Sequence, residues 1–165
     1  MAWGLRSLAL GALLGGLAAA PAMAAPARYW FIGASVGGRV IEYIDAASVA
    51  GEGASNRSAT LQAVHEGPAT SAAGAAKYDE KTVLYDCAAR TYAVKSVNTY
   101  SKDGKRLGAT SSPTLAWRPT KSDALAGAEA AFVCGDAAAR LKRFSSIQGD
   151  PVANADALYA VVSTH

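Results

Sequence analysis

The sequence KTVLYDCAARTYAVKSVNTYSKDG, residues 81–104, decides the fold class, because it holds two strand patterns in succession and ends in a tight turn. Lys81–Cys87 alternates with the period of two that strands show, and Arg90–Tyr100 is rich in β-branched and aromatic residues. Asp103-Gly104 is a strong hairpin signal, and Lys105–Thr110 can return beside the preceding strand. Strands that follow one another through short turns predict an antiparallel sheet.

The same kind of pattern occurs upstream of this stretch. Arg28–Val36 and Arg39–Asp45 flank Gly37-Gly38, which predicts a hairpin through a Gly-Gly turn. Ser58–Glu66 alternates apolar and polar residues and is predicted to be a further strand. Gly67–Ala76 consists almost entirely of Gly, Ala, Ser, Thr and Pro, and this composition predicts a mobile surface loop.

The period changes after Ser122, where apolar residues recur three and four positions apart and predict a helix that delivers Cys134 to the sheet. Ser122 is the expected N-cap of this helix. Asp136 is expected to cap a second helix, and Asp150-Pro151 to start a third, because Pro is favoured at the first helical position. The chain is therefore predicted to have an α+β fold, an antiparallel β-sheet packed with C-terminal helices, with a helical tail from about residue 135.

Residues 1–24 have the composition of a signal peptide. Arg6 precedes the apolar run Leu8–Ala20, and Ala22-Met23-Ala24 forms a small-residue cleavage site. The run is too short and too rich in Gly and Ala to span a bilayer, which takes about 20 apolar residues, and no later stretch qualifies. The sequence therefore predicts export without a transmembrane span, and residues 25–165 suffice for a single domain.

The two cysteines, Cys87 and Cys134, are predicted to form one structural disulfide, because an exported protein meets an oxidising compartment. The bridge closes a loop of about 48 residues, which the chain-entropy model values at up to about 4 kcal/mol. Redox dithiols have closer spacing, and metal sites need three or four ligands, which two distant Cys and two His do not supply. A lipid-anchored precursor would carry a Cys just after the apolar run, so the position of Cys87 predicts a protein that is not lipid-anchored.

The formal charge of the whole chain is +3, with 16 Lys and Arg against 13 Asp and Glu. This near balance argues against a nucleic-acid-binding protein, whose surface is usually far more basic. The sequence also contains no phosphate-binding loop and no dinucleotide fingerprint, so no cofactor and no metal is expected.

One stretch of the sequence matches a known catalytic pattern. Gly33–Gly37 matches G-x-S-x-G, which in α/β-hydrolases holds a nucleophilic serine at a strand-to-helix turn, whereas Ser35 lies at a predicted hairpin. His65 lies in a predicted strand and His165 is the last residue, so neither is an obvious general base. The pattern is interpreted as a Gly-rich turn, an esterase built on Ser35 is disfavoured, and the protein is predicted not to be an enzyme.

Two groups of basic residues are candidates for contacting a ligand. One surrounds the Asp103-Gly104 turn and the other lies on the second predicted helix: Lys102, Lys105 and Arg106, and Arg140, Lys142 and Arg143. Either group could contact an anionic glycan, a lipid head group or an acidic protein. The alternative that the sequence leaves open is ordinary solvated charge around a turn and on a helix.

Six short motifs, taken in order, resemble the surface-adhesin protein E family, a group of small exported bacterial proteins. They are Trp30-Phe31-Ile32-Gly33, Tyr43-Ile44-Asp45-Ala46-Ala47-Ser48-Val49, Tyr85-Asp86-Cys87, Tyr100 with Asp103-Gly104, Trp117-Arg118-Pro119 and Phe132-Val133-Cys134. Their order and spacing carry the resemblance, which covers about Arg28 to Cys134. It implies an antiparallel sheet packed with helix, and the binding of host extracellular-matrix and plasma proteins at the cell surface.

Two functions are therefore expected for the exported chain. The first is a non-enzymatic binding protein of the periplasm or outer surface, whose partners are host extracellular-matrix or plasma proteins or envelope components. The second is a periplasmic structural or accessory envelope protein without adhesin activity. It would associate with partners, or with itself as a homodimer, through its helical tail or an exposed sheet edge. No ligand-binding residue is transferred from the family.

Overall fold

The computed structural model describes residues 28–162 except 36, 38, 52–54, 72 and 73, so the predicted signal peptide and His165 lie outside the described residues. The strands are β1 Tyr29–Ala34, β2 Val40–Gly51, β3 Asn56–Ser71, β4 Gly74–Asp86, β5 Thr91–Tyr100, β6 Arg106–Ser111, β7 Arg118–Pro119 and β8 Ser145–Ile147. The α-helices are α1 Ala124–Cys134, α2 Ala137–Arg143 and α3 Pro151–Val162. Within the described ranges, no helix is long and apolar enough to cross a membrane.

All strand pairs in this sheet are antiparallel. The strands lie side by side in the order β6-β5-β4-β3-β2-β1-β8, and β7 pairs with β5. Strands β1 to β5 are thus each paired with the next strand along the chain, and the predicted α+β fold is confirmed. Val36 and Gly38, in the predicted turn between β1 and β2, lie outside the described residues. The sequence gives no sign of β7 and β8, because two and three residues are too few to show a period.

The prediction of a mobile loop at Gly67–Ala76 is wrong for the residues that the structure describes, which do not include Ala72 and Ala73. β3 continues to Ser71 and β4 begins at Gly74, and these two residues face each other at the end of the β3–β4 ladder. Small residues have little strand propensity of their own, but a ladder that is already formed extends into them, here after a register shift that begins at Val64. Gly74 has a φ of +131°, a conformation that favours glycine.

The two sides of the sheet carry separate cores. Ile44 packs with Phe132 and Val133 of α1 on one side, named here the α1 face. Tyr43, the preceding residue of β2, packs with Tyr159 of α3 on the other side, the α3 face. Because consecutive strand residues point to opposite faces, the sheet lies between α1 and α3.

The predicted helix starts are confirmed for α2 and α3 and wrong by one residue for α1. The carboxylates of Asp136 and Asp150 each accept a hydrogen bond, at 2.7 Å, from a backbone N–H in the first turn of their helix. At α1 the N-cap is Asp123 and not the predicted Ser122, and the carboxylate of Asp123 accepts a hydrogen bond from the backbone N–H of Leu125. A short 3-10 turn, Thr120–Ser122, precedes α1 and moves its start one position along the chain.

The predicted disulfide between Cys87 and Cys134 is confirmed. It joins the turn between β4 and β5 to the last residue of α1, and the two Cα atoms lie 5.7 Å apart. The bridge therefore fixes the C-terminal end of α1 to the sheet, next to the buried Phe132 and Val133.

Candidate binding surfaces and a buried carboxyl pair

The first predicted basic group lies at the tip of the β5–β6 hairpin. Gly104 has a φ of +79°, and its N–H donates to the carbonyl of Ser101 at 3.1 Å, which closes the turn. Lys105 and Arg106 are exposed directly after it. The turn therefore places both cations in solvent.

Lys102, the third member of this group, contacts α3. Its ammonium lies 2.9 Å from one carboxylate oxygen of Asp156, and the other oxygen lies 2.7 Å from the ammonium of Lys77. Lys77 is buried and also donates to the backbone carbonyl of His65 at 2.7 Å. The hydrogen bonds from Lys77 and from Lys102 hold the pKa of Asp156 below its usual value. The two lysines thus tie α3 to β4 and to the hairpin tip.

The residues of the second predicted basic group differ in their surroundings. Arg140 donates to the backbone carbonyls of Phe132 at 2.6 Å and Val133 at 3.1 Å, and its guanidinium lies 5.0 Å from the ring centre of Phe132. It thereby satisfies carbonyls that the end of α1 leaves without helical partners. Arg140 therefore joins α2 to α1, while Lys142 and Arg143 are exposed to solvent, the guanidinium of Arg143 lying 5.5 Å from the ring centre of Phe144.

The structure does not bring the two basic groups together. Lys102 contacts α3, which covers the α3 face, whereas Arg140 contacts Phe132 on the α1 face. The sheet separates them, so each group is a separate candidate surface.

Ser35 and His65 do not form a catalytic pair. The hydroxyl of Ser35 accepts a hydrogen bond from the backbone N–H of Val40 at 3.1 Å, and a strand rather than a helix follows. Val40 pairs with both Ser35 and His65, which places these two residues about two strand spacings, roughly 10 Å, apart. His65 instead contacts the carboxylate of Asp79 at 3.1 Å.

A group of charged residues lies between α1 and the sheet. Glu42 of β2 and Glu129 of α1 are buried, and the ammonium of Lys81 lies 2.6 Å from Oε1 of Glu42. The hydroxyl of Tyr85 donates to Oε2 of Glu129 at 2.7 Å. The two carboxyl groups are also hydrogen-bonded to each other. Ionised carboxylates only accept hydrogen bonds, so one of the two carries a proton.

The proton belongs to Glu129. Burial, followed by the hydrogen bond and charge of Glu42, raises the pKa of Glu129 to about 9. Burial alone would also raise the pKa of Glu42, but the hydrogen bond from Glu129 and the ammonium of Lys81 hold this pKa below its usual value. Glu42 is therefore ionised and paired with Lys81, and neutral Glu129 donates to it.

The sequence predictions missed this pair, although each member interrupts an apolar pattern. Glu42 lies inside the apolar strand segment Val40–Ile44, and Glu129 lies on the apolar stripe of α1, four residues after Leu125 and three before Phe132. A charged residue on a buried face needs a polar partner. Periodicity alone does not show that these two residues are partners of each other.

A cavity of about 190 Å³ adjoins the carboxyl pair. The charged or ionisable acidic and basic residues in its lining are Glu42, Lys81, Asp123 and Glu129. Apolar side chains of β4, β5 and α1 form its walls, among them Val83, Val94, Val97 and Leu125. In the part of the chain that the structure describes, no group of three or more His, Cys, Asp or Glu could hold a metal ion.

Comparison with known proteins places these features in a family. The family model described as surface-adhesin protein E matches residues 32–135, which is more than half of the chain and includes the second half of β1, strands β2 to β7, α1 and both cysteines. No curated protein and no solved structure matches. The resemblance predicted from the sequence motifs is thereby confirmed, and the chain belongs to the surface-adhesin protein E family.

Proposed function

We propose that this protein is an exported, non-enzymatic binding protein that adheres to host extracellular-matrix or plasma proteins, or to components of the bacterial envelope. The family match over residues 32–135 carries the proposal. The signal-peptide pattern of residues 1–24 supports export to the periplasm or the outer surface, with residues 25–165 as the mature domain.

The hairpin tip is the proposed contact surface. Lys105 and Arg106 are exposed on a turn that is closed by its own backbone hydrogen bonds, and Lys102 is fixed beside them by α3. Exposed cations attract an acidic partner and accelerate encounter with it. A second, smaller surface consists of Lys142 and Arg143 on α2.

The proposal is tested by biolayer interferometry of oxidised residues 25–165 on immobilised basement-membrane extract, plasma protein and outer-membrane vesicles of the producing cell. We expect binding to at least one surface, weakening with added salt. The double variant Lys105→Glu/Arg106→Glu should bind about tenfold more weakly, and the matched reversal Lys121→Glu, at another exposed lysine, should bind normally. Failure of the wild-type chain to bind any of the three immobilised surfaces would refute the adhesin function. Normal binding by the double variant would refute the hairpin tip as the contact surface.

A second candidate function, that of a periplasmic accessory envelope protein, is favoured by the end of α3. Leu158 is 39% exposed and Val162 is 72% exposed. Large exposed apolar side chains often mark a contact with a partner, here an envelope protein or a second copy of the chain. The variant Leu158→Gln/Val162→Gln should then lose association measured by co-purification and sedimentation. Recovery of the native protein in the periplasm alone would favour this function, whereas recovery from the outer membrane or medium, with an N-terminus near Ala25, would favour adhesion.

A further inference from the structure

One of the carboxylates that line the cavity has a buried oxygen with unused capacity for hydrogen bonds. Glu42 is only 3% exposed, and among the described residues no N–H or hydroxyl group donates to its Oε2. A carboxylate oxygen can accept two hydrogen bonds. Oε2 therefore has unused capacity for a hydrogen bond, in buried surroundings where an unmade hydrogen bond is costly.

The charged residues that line the cavity determine whether it favours an anionic, a neutral or a cationic ligand. Two carboxylates line it, those of Glu42 and Asp123, together with the neutral carboxyl group of Glu129, against one ammonium, that of Lys81, which is already paired with Glu42. An anion would be repelled, and a neutral hydroxyl would offer a single donor hydrogen to two carboxyl groups. A primary ammonium offers three donors and a compensating positive charge.

We propose that the cavity binds a small alkylammonium ion, whose ammonium group donates to Glu42 and Glu129 and whose alkyl chain lies among Val94, Val97 and Leu125. These walls supply the apolar surface that small-molecule sites typically combine with a few polar groups. The volume of about 190 Å³ compares with roughly 30 Å³ for one water in the liquid, which leaves room for a chain of four or five carbons.

Binding exchanges one cation for another. The ammonium takes the place of the shared proton, Glu129 ionises, and the proton passes to solvent. The charged and titratable groups that face Glu129 are Glu42, Lys81 and Tyr85 from the sheet and Asp123 from the start of its own helix. Because Glu129 is protonated at neutral pH, the affinity should rise about tenfold per pH unit from pH 6.5 to 8.5.

The probe is butylammonium chloride, titrated into oxidised residues 25–165 while methyl resonances are followed by NMR. We expect saturable shifts at Val94, Val97 and Leu125, and an affinity at least about tenfold above that for 1-butanol or butyrate. Calorimetry in buffers of different ionisation enthalpy should show release of one proton. A lysine side chain presents the same chemistry, so Nα-acetyl-lysine amide identifies the source: comparable affinity indicates a lysine of a protein partner, and much weaker binding indicates a free amine.

Variants separate the cavity from non-specific attraction of cations. Val94→Phe fills the cavity without removing a charge and should abolish binding. Glu42→Gln should weaken binding at least about tenfold, whereas Glu66→Gln, at an exposed carboxylate that does not line this cavity, should not change it. The proposal is overturned if butylammonium does not bind, if it binds no better than 1-butanol, or if folded Val94→Phe binds it as well as the wild-type protein.

Discussion

Replacing Glu129 with glutamine should stabilise the protein at neutral pH, although it changes a buried polar residue. The glutamine carbonyl can accept from the hydroxyl of Tyr85, and its amide can donate to the carboxylate of Glu42, so both hydrogen bonds are kept. Glutamine does not ionise. Unfolding of the variant therefore releases no proton at this position, which removes a driving force for unfolding.

The magnitude follows from the pKa of Glu129, which burial and Glu42 raise from 4.5 to about 9. The contribution of such a group to stability is fully present below pH 4.5 and is lost as the pH rises to about 9, since only the unfolded chain ionises in this window. At about 1.4 kcal/mol per pH unit, the wild-type protein has lost about 3 kcal/mol by pH 7. Glu129→Gln should therefore raise the free energy of unfolding by up to about 3 kcal/mol at pH 7, with a smaller gain at lower pH.

The assay is guanidinium chloride denaturation of the oxidised proteins at several pH values between 4.5 and 8.5. Glu129→Ala loses both hydrogen bonds and should be less stable than Glu129→Gln throughout. Glu66→Gln, at an exposed carboxylate, should stay within about 0.5 kcal/mol of the wild-type protein at every pH. A stability difference between Glu129→Gln and the wild-type protein that does not grow with pH would show that Glu129 does not hold the proton.

Two other contacts yield further predictions. Cys87→Ala/Cys134→Ala should lower the free energy of unfolding by up to about 4 kcal/mol, and reductant should lower that of the wild-type protein but not that of the variant. Asp156→Asn should cost about 2 kcal/mol, because buried Lys77 loses its carboxylate, whereas Lys102→Gln, at the exposed partner, should cost less than about 1 kcal/mol. The pKa of Asp156 is lowered, so its contribution to stability is present above pH 3.8 and is lost as the pH falls below this value. If Asp156→Asn loses as much stability at low pH as the wild-type protein does, this assignment is contradicted.

Local patterns predicted those parts of the fold that depend on neighbours along the chain. The alternation of Lys81–Cys87 and the turn at Asp103-Gly104 correspond to β4 and to the β5–β6 hairpin. The prediction of the disulfide required only the count of two cysteines and the expectation of export. The loop prediction for Gly67–Ala76 was wrong because the small residues there carry no strand signal. The β3–β4 ladder extends into them from the parts of the two strands that precede and follow them.

The sequence by itself determined an antiparallel sheet, C-terminal helices and one disulfide, because a period, a cap or a cysteine count is enough for each. Only the tertiary structure placed α1 and α3 on opposite faces, since a hydrophobic stripe shows that a helix is covered but not which face of the sheet covers it. The tertiary structure also brought Lys102 to Asp156 and Glu42 to Glu129. These contacts join residues far apart in the chain, and their energies depend on a burial that exists only once the helices have packed on the sheet.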